Sequence, residues 1–435
     1  MVATLAPEAP VRSQTGPMAG GRDVLGQLLR TLELLAGLPD SDGLVSDAER
    51  IDRIGLLERV KAAAAGAQTA EIVRFAASQV ESQRRGDVHP RVLGRGIADQ
   101  IALACKVSPA AGSHRLSLAR ALWFDLPETY AALRAGQISE WVATLVSRET
   151  SHLDAKTRRG VDTELAGHDL PSLSPRRAAA TARGLAYRAD PQAAVERARI
   201  EEKQRRVTVR PAPDTMAILT AYLPAAQAIA TWAALGQLAD ARVAGGDGRS
   251  RSQLMADSLI ERVTGQTRAT DLHVEVGLVM PIETLVRPRG GRPAQLEGYG
   301  PVPAALARDL LGTTAGSVFL RRLFSDRTGQ IVGGDSRRRR FSDAVVKVIR
   351  ARDQQCRDPF CDAPIRHIDH ITRYADQGQS SLANGRGVCA RGNYVRELPG
   401  WRVERLGSGT HPQPDVVAVT TPTGHSYLSR APQPP

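Results

Sequence analysis

The sequence predicts a mainly α-helical protein with a large helical N-terminal domain, a small α/β connecting region and a compact C-terminal module. Apolar residues make up 42% of the 435 residues and aromatic ones only 4%, so the cores are rich in Ala, Leu and Val, which favours helices. Helix-capping signals recur along most of the chain. Three of the four cysteines fall within residues 356–389, which predicts a small metal-stapled module at the C-terminal end.

The chain divides into five parts. Residues 1–21 contain three prolines and no hydrophobic signal core, which predicts a disordered leader. Residues 22–265 form the helical domain, 266–336 the connecting region, and 337–405 the C-terminal module with a basic lead-in helix. Residues 406–435 are rich in Pro, Gly, Thr and Ser, so the tail is expected to be a short strand or disordered. The helical domain is the part expected to mediate any homodimer.

Composition also restricts the compartment. No apolar run approaches the roughly 20 residues of a membrane span, and the cysteines do not form a disulfide framework. Both features indicate a cytoplasmic protein without a membrane segment.

Within the first three parts, apolar spacing and capping residues place most elements. Ala48–Gln83 reads as one long helix, either partly coiled-coil-like or a plain amphipathic core helix. Ser108 and Pro109 open a short helix that suits either a DNA-reading helix–turn–helix or an ordinary bundle. The remaining predictions are a strand at 207–210, helices at 217–241, 252–263 and 302–312, a strand at 272–280 and a hairpin at 317–333.

The charge distribution changes near residue 337. The formal net charge is +12, which is consistent with a nucleic-acid partner but also with the composition of a GC-rich genome. A helix is predicted from Ser342 to about Arg352, with Val345, Val348 and Ile349 facing inward. The basic segment is either a solvated linker or a set of phosphate contacts, and the candidate DNA-binding residues are Arg337, Arg338, Arg339, Arg340, Lys347 and Arg350.

Cys356 and Cys361 have a knuckle spacing that lets two thiolates reach one tetrahedral Zn²⁺ ion, and Cys389 supplies a third. Gly392 stands where a C-x-x-C pair would place the fourth cysteine. His367, Asp358 or a water could replace it, and the sequence selects none of them.

The segment between these cysteines reads as a strand, a loop and a helix. Residues 365–371 alternate as a strand, so Asp369 and His370 point to opposite faces unless the strand ends there. The following loop contains Asn384, and a helix over 389–398 carries Asn393.

The run C-x4-C, I-D-H-I, N-G-R-G-V-C and N-Y-V-R-E-x-P-G-W resembles the HNH endonuclease domain, which has the ββα-metal fold. This resemblance covers about 341–404. From about residue 22 onward the chain is also similar to actinobacterial proteins that carry a helical domain of unknown function before an HNH module.

The resemblance implies a DNA endonuclease in which His370 is the general base and Asn384 holds the loop and orients the histidine. It implies that Asp369 and Asn393 bind a catalytic Mg²⁺ or Mn²⁺ ion, that Zn²⁺ staples the fold, and that Arg396 joins the basic residues in holding the DNA backbone. The alternative is a catalytically weak or inactive DNA-binding protein, derived from a mobile element, with a degenerate HNH module. Gly392 favours the alternative, and the complete set of Asp369, His370, Asn384 and Asn393 favours the enzyme.

Overall fold

The computed structural model describes residues 21–36, 45–86, 88–265, 278–286, 290–296, 299–313, 341–406 and 416–432. The chain separates into two compact units, Met1–Val60 and Lys61–Pro435. The first unit contains helix α1 (Gly21–Ala36) and the beginning of α2 (Asp47–Arg85), which confirms the long helix predicted over 48–83. None of the helices in the described ranges is both long and apolar enough to cross a membrane.

The second unit begins with a helical bundle around an aliphatic core. Its main buried side chains include Leu122, Leu133 and Leu165, which are 0% exposed. Gly112 allows a close helix crossing, since a Cβ there would lie 2.4 Å from the carbonyl oxygen of Ala98. After α2 the helices are α3 (Ile97–Ala104), α4 (Pro109–Phe124), α5 (Pro127–Arg134), α6 (Glu140–Glu149), α7 (Ala155–Ala166), α8 (Pro175–Ala189) and α9 (Pro191–Glu202).

Capping side chains fix the helix starts that the sequence predicts. The Ser108 hydroxyl accepts a hydrogen bond from the backbone N–H of Ala111 at the start of α4. Ser250 and Gln253 form a reciprocal capping box at the start of α11 (Arg251–Thr264). These residues satisfy backbone donors that the first turn of a helix leaves unpaired.

The helix predicted over 217–241 is wrong in its first third. Ala217–Tyr222 is strand β2, which pairs antiparallel with β1 (Arg206–Pro211), and α10 begins only at Ala225 and ends at Ala244. The apolar spacing of 217–222 fits either element, and the register with β1 decides between them. Pro224 then serves as the N-cap of α10.

The connecting region contains a three-stranded antiparallel sheet in the order β3-β4-β5. Its elements are β3 (Leu278–Val279), α12 (Ile282–Val286), β4 (Ala294–Leu296), β5 (Gly300–Val302) and α13 (Ala304–Thr313). The helix predicted near 302–312 is confirmed, and the strand predicted at 272–280 is described only at its end. The hairpin predicted at 317–333 and the leader up to residue 20 lie outside the described residues.

The C-terminal region starts with α14 (Asp343–Asp353), whose predicted Ser342 cap and buried Val345 and Ile349 are confirmed. Strands β6 (His367–His370) and β7 (Gly385–Val388) form an antiparallel pair, and the short helix α15 (Ala390–Val395) packs against both.

The predicted tail is more ordered than expected. Strands β8 (Arg402–Leu406), β9 (Val416–Thr420) and β10 (Ser426–Arg430) form an antiparallel sheet in the order β8-β9-β10. Val416–Val419 are all buried, so this strand lacks the polar–apolar alternation that marks a half-exposed strand. Trp401 and Val419 also pack with Leu103 of α3.

Candidate metal and catalytic site

The hairpin of β6 and β7 is fixed by a buried acid. Asp353, at the end of α14, is 1% exposed and its Oδ2 accepts a hydrogen bond of 2.7 Å from the backbone N–H of Gly387 in β7. The guanidinium of Arg352 donates to both carboxylate oxygens, and that of Arg357 donates to Oδ1 at 2.8 Å. Two buried cations therefore compensate this carboxylate while it joins α14 to the hairpin. Arg352, near the end of the predicted helix, thus has an internal role.

Three buried thiols lie beside this hairpin. The sulfur atoms of Cys356, Cys361 and Cys389 all lie within 4.8 Å of one another, and those of Cys361 and Cys389 are 3.9 Å apart. Tetrahedral zinc with Zn–S bonds of about 2.3 Å places its sulfurs about 3.8 Å apart. The three cysteines are therefore close enough to bind one metal ion, and their donor type suits zinc.

The thiols also differ in acidity. Hydrogen bonds from Cys356 and Cys361, together with the backbone N–H groups of Gly392 and Arg391, lower the pKa of Cys389. The N–H of Gly392 lies 3.3 Å from the Cys389 sulfur, because Cys389 is the N-cap of α15. The helix start therefore favours the thiolate form that a metal requires.

Asp369 is held by two buried arginines. Its Oδ2 lies 2.5 Å from Nη1 of Arg396 and 3.1 Å from Nη2 of Arg386. Burial opposes the charge of Arg386, yet the carboxylates of Asp358 and Asp369 raise its pKa above the ordinary value. Both arginines contact the same oxygen of Asp369, Oδ2.

Arg396 does not have the exposed position that a phosphate contact needs. Its side chain is 6% exposed and donates to the backbone carbonyls of His370 and Ile371 as well as to Asp369. The structure thus corrects the expectation that this residue holds DNA. The HNH resemblance implied a cation that faces DNA, and the packing of α15 on β6 turns the side chain inward.

His370 ends strand β6, and its ring is held on several sides. Nε2 lies 2.8 Å from the hydroxyl of Ser380, which is fully buried. The ring of Phe341 stacks on it at a centroid distance of 4.3 Å, and that of Tyr374 meets it edge-on at 5.9 Å. The sequence did not predict the contacts of Ser380 and Phe341 with the histidine. Both contacts depend on the path of the connecting loops, which residue spacing does not reveal.

Asn384 closes the loop between the two strands. Its Oδ1 accepts from the N–H of Thr372 at 2.7 Å, and its Nδ2 donates to the carbonyls of Thr372 and Gln379, each at 2.9 Å. Gln379 precedes Ser380, so Asn384 fixes the segment that contacts His370. It acts on the histidine through this loop.

Asn393 lies on α15, half-buried, and its backbone N–H donates to the carbonyl of Cys389 at 3.1 Å. Asn393 therefore lies on the helix that begins after Cys389. Its role as a metal ligand stays a prediction.

The predicted DNA-binding residues fall into three groups. Lys347 and Arg350 are exposed on α14 and lie three residues apart, so they share one face of the helix. Arg396 is buried, as described above. The run Arg337–Arg340 lies outside the described residues.

The C-terminal region is docked on the helical bundle through Arg391. Its guanidinium forms a two-pronged ion pair with Asp99 of α3, with distances of 2.6 and 2.9 Å. It also donates to the carbonyl of Pro109 and the hydroxyl of Ser113 at the start of α4. Arg391 is adjacent to Gly392, the residue at which the sequence predicts a fourth zinc ligand to be missing. The bundle therefore holds α15, the helix that begins after Cys389 and carries Asn393.

The described residues thus define a mainly helical protein with a few small sheets, and its C-terminal part carries three thiols close enough to bind a metal ion. The chain belongs to the DUF222 family, a domain of unknown function, whose model matches residues 55–353. The match therefore extends beyond the predicted helical domain, through the connecting region to the end of α14, and stops before Cys356, the first of the three clustered cysteines. The comparison with family models detects no HNH domain.

One curated relative is an uncharacterized protein of Mycobacterium tuberculosis, Rv3776, which is 30% identical over 142 residues. These residues cover 31% of this chain and 24% of that protein, so the chain matches only about a quarter of the relative's length. No solved structure matches the chain.

Proposed function

We propose that this protein is an HNH-type endonuclease that hydrolyses DNA phosphodiester bonds with the help of a divalent metal ion. The observation that carries the proposal is the position of His370, which ends a strand beside the three-thiol cluster and is fixed by Ser380 on a loop that Asn384 closes. The order of strand, loop, strand and short helix in 367–395 is compatible with the ββα-metal fold and supports the proposal. The DUF222 family, which typically occurs together with HNH modules in actinobacteria, adds support.

His370 is the general base in this proposal. A neutral imidazole can accept a proton from an attacking water. The hydrogen bond between Nε2 and Ser380 and the stacking of Phe341 hold the ring in one orientation.

The second requirement is a ligand set for the catalytic ion. Oδ1 of Asp369 and the amide oxygen of Asn393 are hard donors that suit Mg²⁺ or Mn²⁺. Such an ion, when bound, would stabilise the charge on the phosphorus centre and on the leaving 3′-oxygen. Lys347 and Arg350, on the exposed face of α14, would contact phosphates and position the DNA.

A plasmid-nicking assay with Mg²⁺ or Mn²⁺ tests the proposal, using the wild type and the His370→Ala variant. His367→Ala is the matched control, because His367 is an exposed histidine on the same strand. Loss of a general base costs about 10²–10⁴-fold in rate, whereas the control should retain full activity. Equal nicking by the wild type and the His370→Ala variant would remove His370 from the mechanism.

A DNA-binding protein with little or no nuclease activity is the second candidate. It is favoured by the two arginines on Oδ2 of Asp369, whose positive charges oppose a nearby metal cation. This candidate predicts salt-dependent DNA binding by the wild type with no metal-dependent nicking above that of the His370→Ala variant.

A further inference from the structure

Gly392, where a fourth cysteine is expected, borders a carboxylate. A Cβ built on Gly392 would lie 1.7 Å from Oδ2 of Asp358 and 2.9 Å from its Cγ. Oδ2 therefore lies about one carbon–sulfur bond length from the Cβ of the expected cysteine. A side chain on residue 392 and the present position of Asp358 exclude each other.

Asp358 belongs to the turn that holds two of the thiols. Its carbonyl oxygen accepts a hydrogen bond of 3.1 Å from the N–H of Cys361, and the N–H of Cys356 donates to the carbonyl of Ala363 at 2.9 Å. The Asp358 side chain is 17% exposed. The other protein candidate for the missing ligand, His367, is exposed on β6.

The two oxygens of Asp358 have different surroundings. Oδ1 accepts a hydrogen bond of 2.8 Å from Nη1 of the fully buried Arg386, while Oδ2 is the oxygen next to Gly392. A carboxylate that binds a metal through one oxygen commonly accepts a hydrogen bond at the other, which orients it. Arg386 also brings a positive charge close to a site whose donors are all anions.

We propose that Asp358 is the fourth protein ligand of a zinc site formed with Cys356, Cys361 and Cys389. Oδ2 of Asp358 takes the place of the fourth thiolate, and Gly392 is required because any Cβ there would displace the carboxylate. Zinc accepts aspartate oxygen at about 2.0–2.2 Å alongside thiolates. The three sulfurs already lie within 4.8 Å of one another, and Oδ2 of Asp358 lies where the side chain of a fourth cysteine at residue 392 would begin.

The proposal rests on the three thiols holding zinc and is independent of nuclease activity, since its test measures metal binding without DNA. The full chain is purified under reducing conditions, its zinc content is measured, and its zinc affinity is determined by competition with a chelator. Binding of Co²⁺ provides a second readout, because thiolate-to-cobalt charge transfer reports the number of sulfur ligands.

Asp358→Ala should weaken zinc binding by at least about 10–100-fold, the effect of losing even an outer-shell partner. Asp362→Ala is the matched control, since Asp362 is an exposed aspartate in the same turn, and it should bind zinc like the wild type. A wild type without about one zinc per chain, or an Asp358→Ala variant with unchanged zinc affinity, would overturn the proposal.

The Gly392→Cys variant and the double variant Gly392→Cys with Asp358→Ala separate loss of a ligand from loss of folding. Alone, the new cysteine collides with the carboxylate and should lower zinc affinity. In the double variant the space is free, so tight binding should return with stronger thiolate-to-cobalt absorption than in the wild type. If Gly392→Cys alone bound zinc as tightly as the double variant, Asp358 would not occupy the fourth position.

Discussion

The internal role of Arg396 yields a prediction that opposes the usual interpretation of an arginine in a nuclease module. Arg396→Met keeps most of the side-chain volume and removes the guanidinium. The variant loses the ion pair of 2.5 Å to Asp369 and the hydrogen bonds to the carbonyls of His370 and Ile371. The side chain is 6% exposed, so water cannot replace these partners.

The size of the effect follows from these contacts. Removing one partner of a buried ion pair costs about 3–5 kcal/mol. Arg386 still compensates Asp369 in the variant, so the lower end of that range applies. A loss of about 3 kcal/mol corresponds to roughly 100-fold faster hydrogen exchange of the β6 amides, if they exchange through opening of this region.

Hydrogen–deuterium exchange of the peptide that contains β6 is the assay, and DNA binding at several salt concentrations accompanies it. Arg350→Met is the matched control, because Arg350 is an exposed arginine on α14. The control should leave exchange unchanged and reduce the salt slope of DNA binding by about one. The reasoning is refuted if Arg396→Met leaves β6 exchange unchanged and lowers the salt slope as a phosphate contact would.

Three further predictions concern stability, the loop and pH. Asp353→Asn should destabilise the C-terminal region by about 3–5 kcal/mol, because buried arginines lose their counterion. Urea unfolding measures this loss of stability. Asp343→Asn is the control on the exposed start of the same helix, and it should cost at most about 1 kcal/mol. Gly378→Ala should lower the rate of plasmid nicking by about 100-fold. The added Cβ would lie 1.9 Å from the carbonyl oxygen of Thr372, so it would open the loop that Asn384 closes. An unchanged nicking rate would contradict this prediction. Burial, followed by the charge of Arg197, lowers the pKa of His152, so the unfolded chain takes up a proton near pH ~6.5 that the folded chain resists. Stability is therefore lost as pH falls below that value, and His152→Phe should reduce the difference between the melting temperatures at pH 7.5 and 5.5.

The sequence alone determines the local features of this protein. Ser108 and Ser342 cap helices where predicted, because a cap depends on residues within one turn. The spacing of Cys356 and Cys361 likewise predicts a knuckle, since both thiols belong to one short turn. Pairing between distant segments is different. The helix predicted over 217–241 is wrong at 217–222, because the register with β1 decides that segment.

Tertiary structure decides what surrounds each site residue. The sequence identifies Asp369 and His370 as neighbours, but only the packing of β6 against β7 and α15 places buried arginines on Asp369. The same packing turns Arg396 inward and brings Ser380 to the His370 ring. These contacts join residues from different elements, and their free energy depends on burial, which residue spacing does not specify.

The fourth-ligand position depends on both levels. The sequence alone determines that residue 392 has no side chain to offer a metal ion, because glycine lacks a Cβ. Only the tertiary structure decides which group fills that space, since the fold brings Asp358 to within 1.7 Å of the missing Cβ. Two atoms cannot share that volume, so the identity of residue 392 and the position of Asp358 are physically coupled across 34 positions of the chain.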